Sequence, residues 1–172
     1  MSDRLPEEAK NFRLLGHDSS AAFGGGSIVE VSKGFAYVGS VGGSSFSAPE
    51  GFTVHDVSDP RKPHKVAEFR APPGVHCHKL RLVGNDLLYV NSEKLAGEKG
   101  KDGRAGLFIF DISKPTAPRQ VGFYDMPGSG PHRFGIDRAV LVLPSVALAG
   151  GLVVLLGART VAADTRRAER SA

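Results

Sequence analysis

"GFTVHDVSDPRKPHKVAEF" (Gly51–Phe69) and "GLFIFDISKPTAPRQVGFY" (Gly106–Tyr124) are one phrase written twice, 55 residues apart. In this register Gly51 meets Gly106, Asp56 meets Asp111, Ser58 meets Ser113, Pro60 meets Pro115 and Pro63 meets Pro118. Val66 then meets Val121, Phe69 meets Tyr124 and Pro72 meets Pro127. A fixed period of roughly 40–60 residues points to a propeller or a similar array. Each copy reads as strand, turn, strand. The apolar run "GLFIF" ends at Asp111, and "Asp-Ile-Ser-Lys-Pro" turns the chain. Asp and Ser side chains bond nearby backbone amides, and Pro cannot continue a central strand. Asp56, Ser58, Pro60, Asp111, Ser113 and Pro115 are therefore structural turn residues. Hydrolase chemistry at the two serines is disfavoured, because a catalytic group has no reason to recur in each repeat.

The unit is larger than the phrase. "SIVEVSKGFAYVGS" (Ser27–Ser40) precedes the first copy and "KLRLVGNDLLYVNS" (Lys79–Ser92) the second. Both show apolar alternation, a tight turn and a second apolar run, the pattern of a β-hairpin. Hairpin plus phrase makes four strands, which is one propeller blade. The expected architecture is all-β: an N-terminal arm at 1–11, blade 1 at 12–70, blade 2 at 71–125 and the start of a third blade at 126–137. The last part rests on "GSGPHRFGID", which repeats the opening of blade 2, "PPGVHCHKLRL".

The phrases "DVSDPRKPHKVAEF" and "DISKPTAPRQVGFY", with "GFAYVG" and "LLYVNS" upstream, resemble those of bacterial LVIVD-repeat proteins. These in turn are similar to the selenium-binding group of β-propellers. The resemblance spans about residues 12–137. It implies a propeller of several blades, whereas two and a beginning are legible, so an incomplete propeller is expected. Fold alone does not name an activity.

From Arg138 the text changes. Residues 138–172 contain no aromatic, His, Lys, Asn or Gln, and Ala, Val, Leu, Gly and Arg dominate. Three readings are open. One is a wrong-frame translation product. Another is a membrane helix over 139–158, which carries 20 uncharged residues between Arg138 and Arg159. The third is an apolar strand pair or helix that covers the open side of blade 2, since an uncovered blade exposes a sheet edge and an apolar face. Open blade edges also predict self-association.

Composition narrows the partners. The net charge is +4, but five of the 22 Lys/Arg and only two of the 18 Asp/Glu lie in the tail, leaving 17 against 16 in the body. No basic stripe tracks a phosphate backbone, so nucleic acid is not expected. The single cysteine, Cys77, forms no internal disulfide, and a reducing, cytoplasmic setting is the default. The opening residues have no apolar core of a secretory signal. The glycine-rich "AFGGGSIV" and "SVGGSSF" lack a P-loop lysine and are loops. Two longer connections, residues 39–51 and 91–106, leave the same propeller face, where binding loops are common.

The most chemical stretch is His76-Cys77-His78. Alternation on a strand puts both histidines on one face and Cys77 on the other. The innermost strand of each blade lines the central channel, so His76, His78, His132 and His17 are candidates to converge there. Imidazoles that share a face can share a transition metal. The selenium-binding resemblance implies metal-dependent chemistry at channel histidines. Without it, these are channel histidines bonded to backbone or water. Cys77 itself reads as a small buried hydrophobe. The functional expectation is a non-catalytic binding or scaffold propeller, with no cofactor required and an unknown protein or small molecule as partner. The alternative is a metal-dependent oxidoreductase with His76, His78 and His132 as ligands.

Overall fold

The computed structural model describes residues 13–18, 25–41, 50–137, 140–143 and 153–156. The expected arm at 1–11, most of the loop at 39–51 and most of the tail lie outside them. The chain is all-β. Strands β1 (Gly25–Ser32), β2 (Phe35–Val41), β3 (Gly51–Asp56) and β4 (His64–Arg70) form one antiparallel sheet in sequential order. The second sheet holds β5 (Val75–His76), β6 (Leu80–Val83), β7 (Leu87–Lys94), β8 (Gly106–Asp111) and β9 (Arg119–Asp125). A third contains β10 (Gly135–Asp137), β11 (Val140–Leu143) and β12 (Val153–Leu156).

The sequence repeat is repeated in the backbone. The register shifts between Val54 and His55 in β3, and at the matching place between Ile109 and Phe110 in β8. Ser58 donates its backbone N–H to Asp56 Oδ1 at 2.9 Å, and Ser113 does the same to Asp111 Oδ1 at 2.9 Å. Val57 N–H bonds Gly34 O at 2.8 Å, as Ile112 N–H bonds Asp86 O at 2.8 Å. Each phrase opens on glycine for a reason of space. A Cβ on Gly51 would lie 2.0 Å from Phe69 O, and one on Gly106 would lie 2.0 Å from Tyr124 O.

The turn carboxylates give a pH signature. Bonds from Ser113, with Arg119 Nη2 at 3.0 Å, hold Asp111 below the usual carboxylate range. Its contribution is therefore complete above the unfolded pKa, about 3.9, and is lost as pH falls through the lower folded value. Asp111→Ala is expected to cost about 0.5–1.5 kcal/mol at neutral pH. The gap between variant and wild type should narrow in urea melts at about pH 3.

Blade 2 departs from the four-strand expectation. Its inner strand is interrupted at Cys77–Lys79, so β5 and β6 pair separately with β7. The interruption is held by a side chain: Asn91 Oδ1 accepts the N–H groups of His78 at 2.9 Å and Lys79 at 2.8 Å.

The two blades pack face to face. Tyr37, Phe52 and Val54 of blade 1 are buried with Cys77, Leu80, Leu88, Val90, Phe108 and Phe110 of blade 2. The opposite face of blade 1 has different chemistry. Thr53 and His55 occupy the positions that Phe108 and Phe110 hold in blade 2. Thr53 Oγ1 bonds His55 Nε2 at 2.8 Å, and His55 Nδ1 bonds Asp18 at 2.8 Å. This polar chain ties the segment Arg13–Asp18 to the first sheet. On the same side of β1, Val29 and Val31 remain exposed.

In the C-terminal region, β11 pairs antiparallel with both β10 and β12. This differs from a continuous membrane helix over 139–158, since both described stretches there are strands. Among the described residues no helix is long and apolar enough to cross a membrane. Phe134, Ile136 and Met126 pack with Leu107 and Tyr89 on the far face of blade 2.

Candidate metal centre

Local strand geometry decides where the histidines point. Although β5 ends at His76, alternation persists through the break, and Cys77 turns into the inter-blade core. Burial raises the Cys77 thiol well above its usual range, so it is neither a thiolate nucleophile nor a ready ligand. His76 and His78 fall on the other side, with ring centroids 3.8 Å apart. His132, just before β10, lies 5.9 Å from His76 and 5.2 Å from His78 by the same measure. One potential ligand atom from each of the three lies within 4.8 Å of the others. His17 does not join them. It is exposed on the segment whose Gly16 packs against the turn at Pro60–Pro63, away from this cluster.

Two carboxylates stand behind the imidazoles. Glu93 Oε2 lies 2.6 Å from His132 Nδ1. Glu50 Oε2 lies 2.6 Å from His76 Nδ1, close in distance though outside hydrogen-bond angles, and accepts the Cys77 N–H at 2.7 Å. A carboxylate at Nδ1 favours the proton on that nitrogen and leaves Nε2 as the lone-pair donor. Glu50 is 5% exposed, and an ionised carboxylate is kept inside only by such partners. His78 differs, because its buried Nδ1 has no hydrogen-bond partner. Burial, with smaller contributions from His76 and Lys79, pushes His78 down to about 3. The imidazole is therefore neutral at physiological pH, the form that binds metal.

The cluster is held from behind by groups that the sequence reading missed. Asn91 is fully buried, and its Nδ2 donates to His76 O and to Pro131 O, each at 3.2 Å. With its two acceptor bonds this uses the whole capacity of the amide. One side chain thus fixes the backbone at His76, at His78 and beside His132. Gly39 makes room on the blade 1 side, since a Cβ there would lie 2.4 Å from His78 O. No local motif marks Asn91, Glu50 or Gly39. Only the departure of Asn91 from the apolar run of β7 was a usable signal.

The donor set fits a transition-metal ion. Metal–imidazole distances of about 2.0–2.1 Å place tetrahedral donors roughly 3.3 Å apart. The widest pair would close by roughly 1–1.5 Å, within reach of side-chain rotation. Imidazole donors suit Zn, Cu, Fe or Ni. In front of His76 and His132 a pocket of about 550 Å³ opens, walled by Lys94, Leu95, Ala96 and Gly128. The connection after β7 thus contributes directly to the site.

A comparison with curated proteins finds no match. A comparison with protein families finds one repeat, and it covers the turn and both strands of the second phrase. Residues 102–126 match the LVIVD repeat, so this all-β chain of blade-like sheets carries an LVIVD repeat in the outer half of its second blade.

Proposed function

We propose that this protein is a propeller-type binding module whose His76, His78 and His132 hold one transition-metal ion beside the pocket. The observation that carries the reading is the meeting of three imidazoles from two successive repeat units within 4.8 Å. The buried, unpartnered Nδ1 of His78 supports it, since an orphaned buried donor or acceptor is costly. The carboxylates behind His76 and His132 match the usual outer shell of metal-binding histidines. When bound, the ion would supply a Lewis-acid or redox centre.

Metal analysis of the purified full chain after loading with Zn(II) or Cu(II) tests this. About one ion per chain is expected, given three convergent donors. His78→Ala should reduce the content to background while the circular dichroism stays that of the wild type. A wild-type chain that retains no metal would overturn the reading.

A second reading, a metal-dependent oxidoreductase, is favoured by the pocket. Catalytic metal sites combine three protein ligands with one open position, and here two of the three clustered histidines, His76 and His132, line a cavity. Substrate-dependent redox turnover by the Cu(II) or Fe(II) form, absent from the Zn(II) form, would select this reading over simple binding.

A further inference from the structure

We propose that two copies of this chain join head to tail and close one ring of six sheets, the outer face of β10–β12 in each copy covering the bare face of blade 1 in the other. The inference does not depend on the metal. It starts from a mismatch between equivalent positions. Register makes Val29, Val38 and Thr53 one row across blade 1, and Leu80, Val90 and Phe108 the same row across blade 2. Val31, Ala36 and His55 correspond likewise to Leu82, Leu88 and Phe110. In blade 2 this face is closed by blade 1: Leu80 is 0% exposed, and Leu82 packs against the shared core. In blade 1 the same two positions stand open. Val29 is 57% and Val31 62% exposed, more than any other large apolar side chain among the described residues. Apolar neighbours on one strand face, at positions that form a contact elsewhere in the same chain, mark a surface for another blade.

The occupant follows from the stacking order. Phe134 and Ile136 of the third unit pack on Leu107 and Tyr89 of blade 2, just as blade 2 packs on blade 1. Each sheet therefore turns one face to its predecessor and the other to its successor. The successor face of β10–β12 is the counterpart of the bare face of blade 1. Register there sets Val142 and Val154 in line with Gly135, and Val140 and Leu156 in line with Asp137, opposite the row of Ile136. Tyr37, Phe52 and Val54 make the corresponding apolar face of blade 1, the one that meets blade 2. Both halves of a blade interface thus stand on one chain. A head-to-tail contact of this kind closes into a ring or grows into a filament. Propellers close at about 4–8 blades. Three sheets per chain give six with two copies, whereas one copy falls below that range and three copies exceed it. The polar part of the bare face tolerates the cover. Thr53 and His55 are already bonded to one another, and His55 to Asp18, so burial leaves the imidazole satisfied.

Light scattering and sedimentation velocity on the full chain, across a concentration series, provide the test. The expected species has twice the mass of one chain. Val31→Lys should raise the dimer dissociation constant by roughly 100-fold or more, because the change strikes both copies of the contact. Its circular dichroism should stay that of the wild type, since Val31 is exposed in the single chain. Val29→Lys should act in the same way. Val121→Lys charges an exposed position on the outer strand β9 and should leave the dimer intact. A wild-type monomer, growth to trimers or filaments, a dimer indifferent to Val29→Lys and Val31→Lys, or an equal loss in Val121→Lys would overturn the proposal.

Discussion

Phe110→Ala is expected to lower stability by about 3–5 kcal/mol, a large share of what a domain of this size commands. Phe110 is 2% exposed. Its ring sits edge-on to Phe52 at 5.0 Å and to Phe69 at 4.7 Å, so it joins the aromatic residues of the two blades. Truncation would remove its buried area, leave a cavity that strand backbones cannot collapse around, and break both ring pairs. The check is urea denaturation followed by circular dichroism, with Val121→Ala as the control. Val121 is 39% exposed on β9, and its loss should cost no more than about 0.5 kcal/mol. A Phe110→Ala shift as small as the control's would mean that the blade interface is not where stability resides.

Asn91→Ala should couple a stability loss to a loss of metal affinity. Removing the side chain strands the N–H groups of His78 and Lys79 and two backbone carbonyls. Buried groups left unsatisfied cost about 1–3 kcal/mol each, and with partial rescue by water the sum should be about 2–4 kcal/mol. Metal affinity should fall by roughly 10–100-fold even under conditions where the variant is folded, because all three histidines lose their backbone anchor. Asn91→Asp should be as damaging. It keeps the acceptor atoms but sets a carboxylate against the carbonyls of His76 and Pro131. Calorimetric titration with Zn(II) measures the effect. Wild-type affinity in Asn91→Ala would remove Asn91 from the positioning role.

The inner strand of blade 2 shows how local and distant information divide. Its hairpin was legible, because alternation and the Gly84-Asn85-Asp86 turn act within a few residues. Its interruption was not, because the cause is a side chain 13 residues from His78, on the neighbouring strand. The same holds for blade 1. Thr53 and His55 stand where the repeat has Phe108 and Phe110, a visible difference whose meaning depends on Asp18 reaching across from 37 residues away.

The repeat, its turn chemistry and the sidedness of His76, Cys77 and His78 are all legible along the chain. Each depends on backbone periodicity and on hydrogen bonds that close within two or three residues. Tertiary structure alone decided that His132 reaches that pair and His17 does not. It also recruited Glu50, Glu93 and Asn91 behind the imidazoles and opened a pocket beside Lys94. The physical reason is that contacts between repeat units depend on how twisted sheets pack, which is set by the summed fit of many buried side chains and not by any short motif.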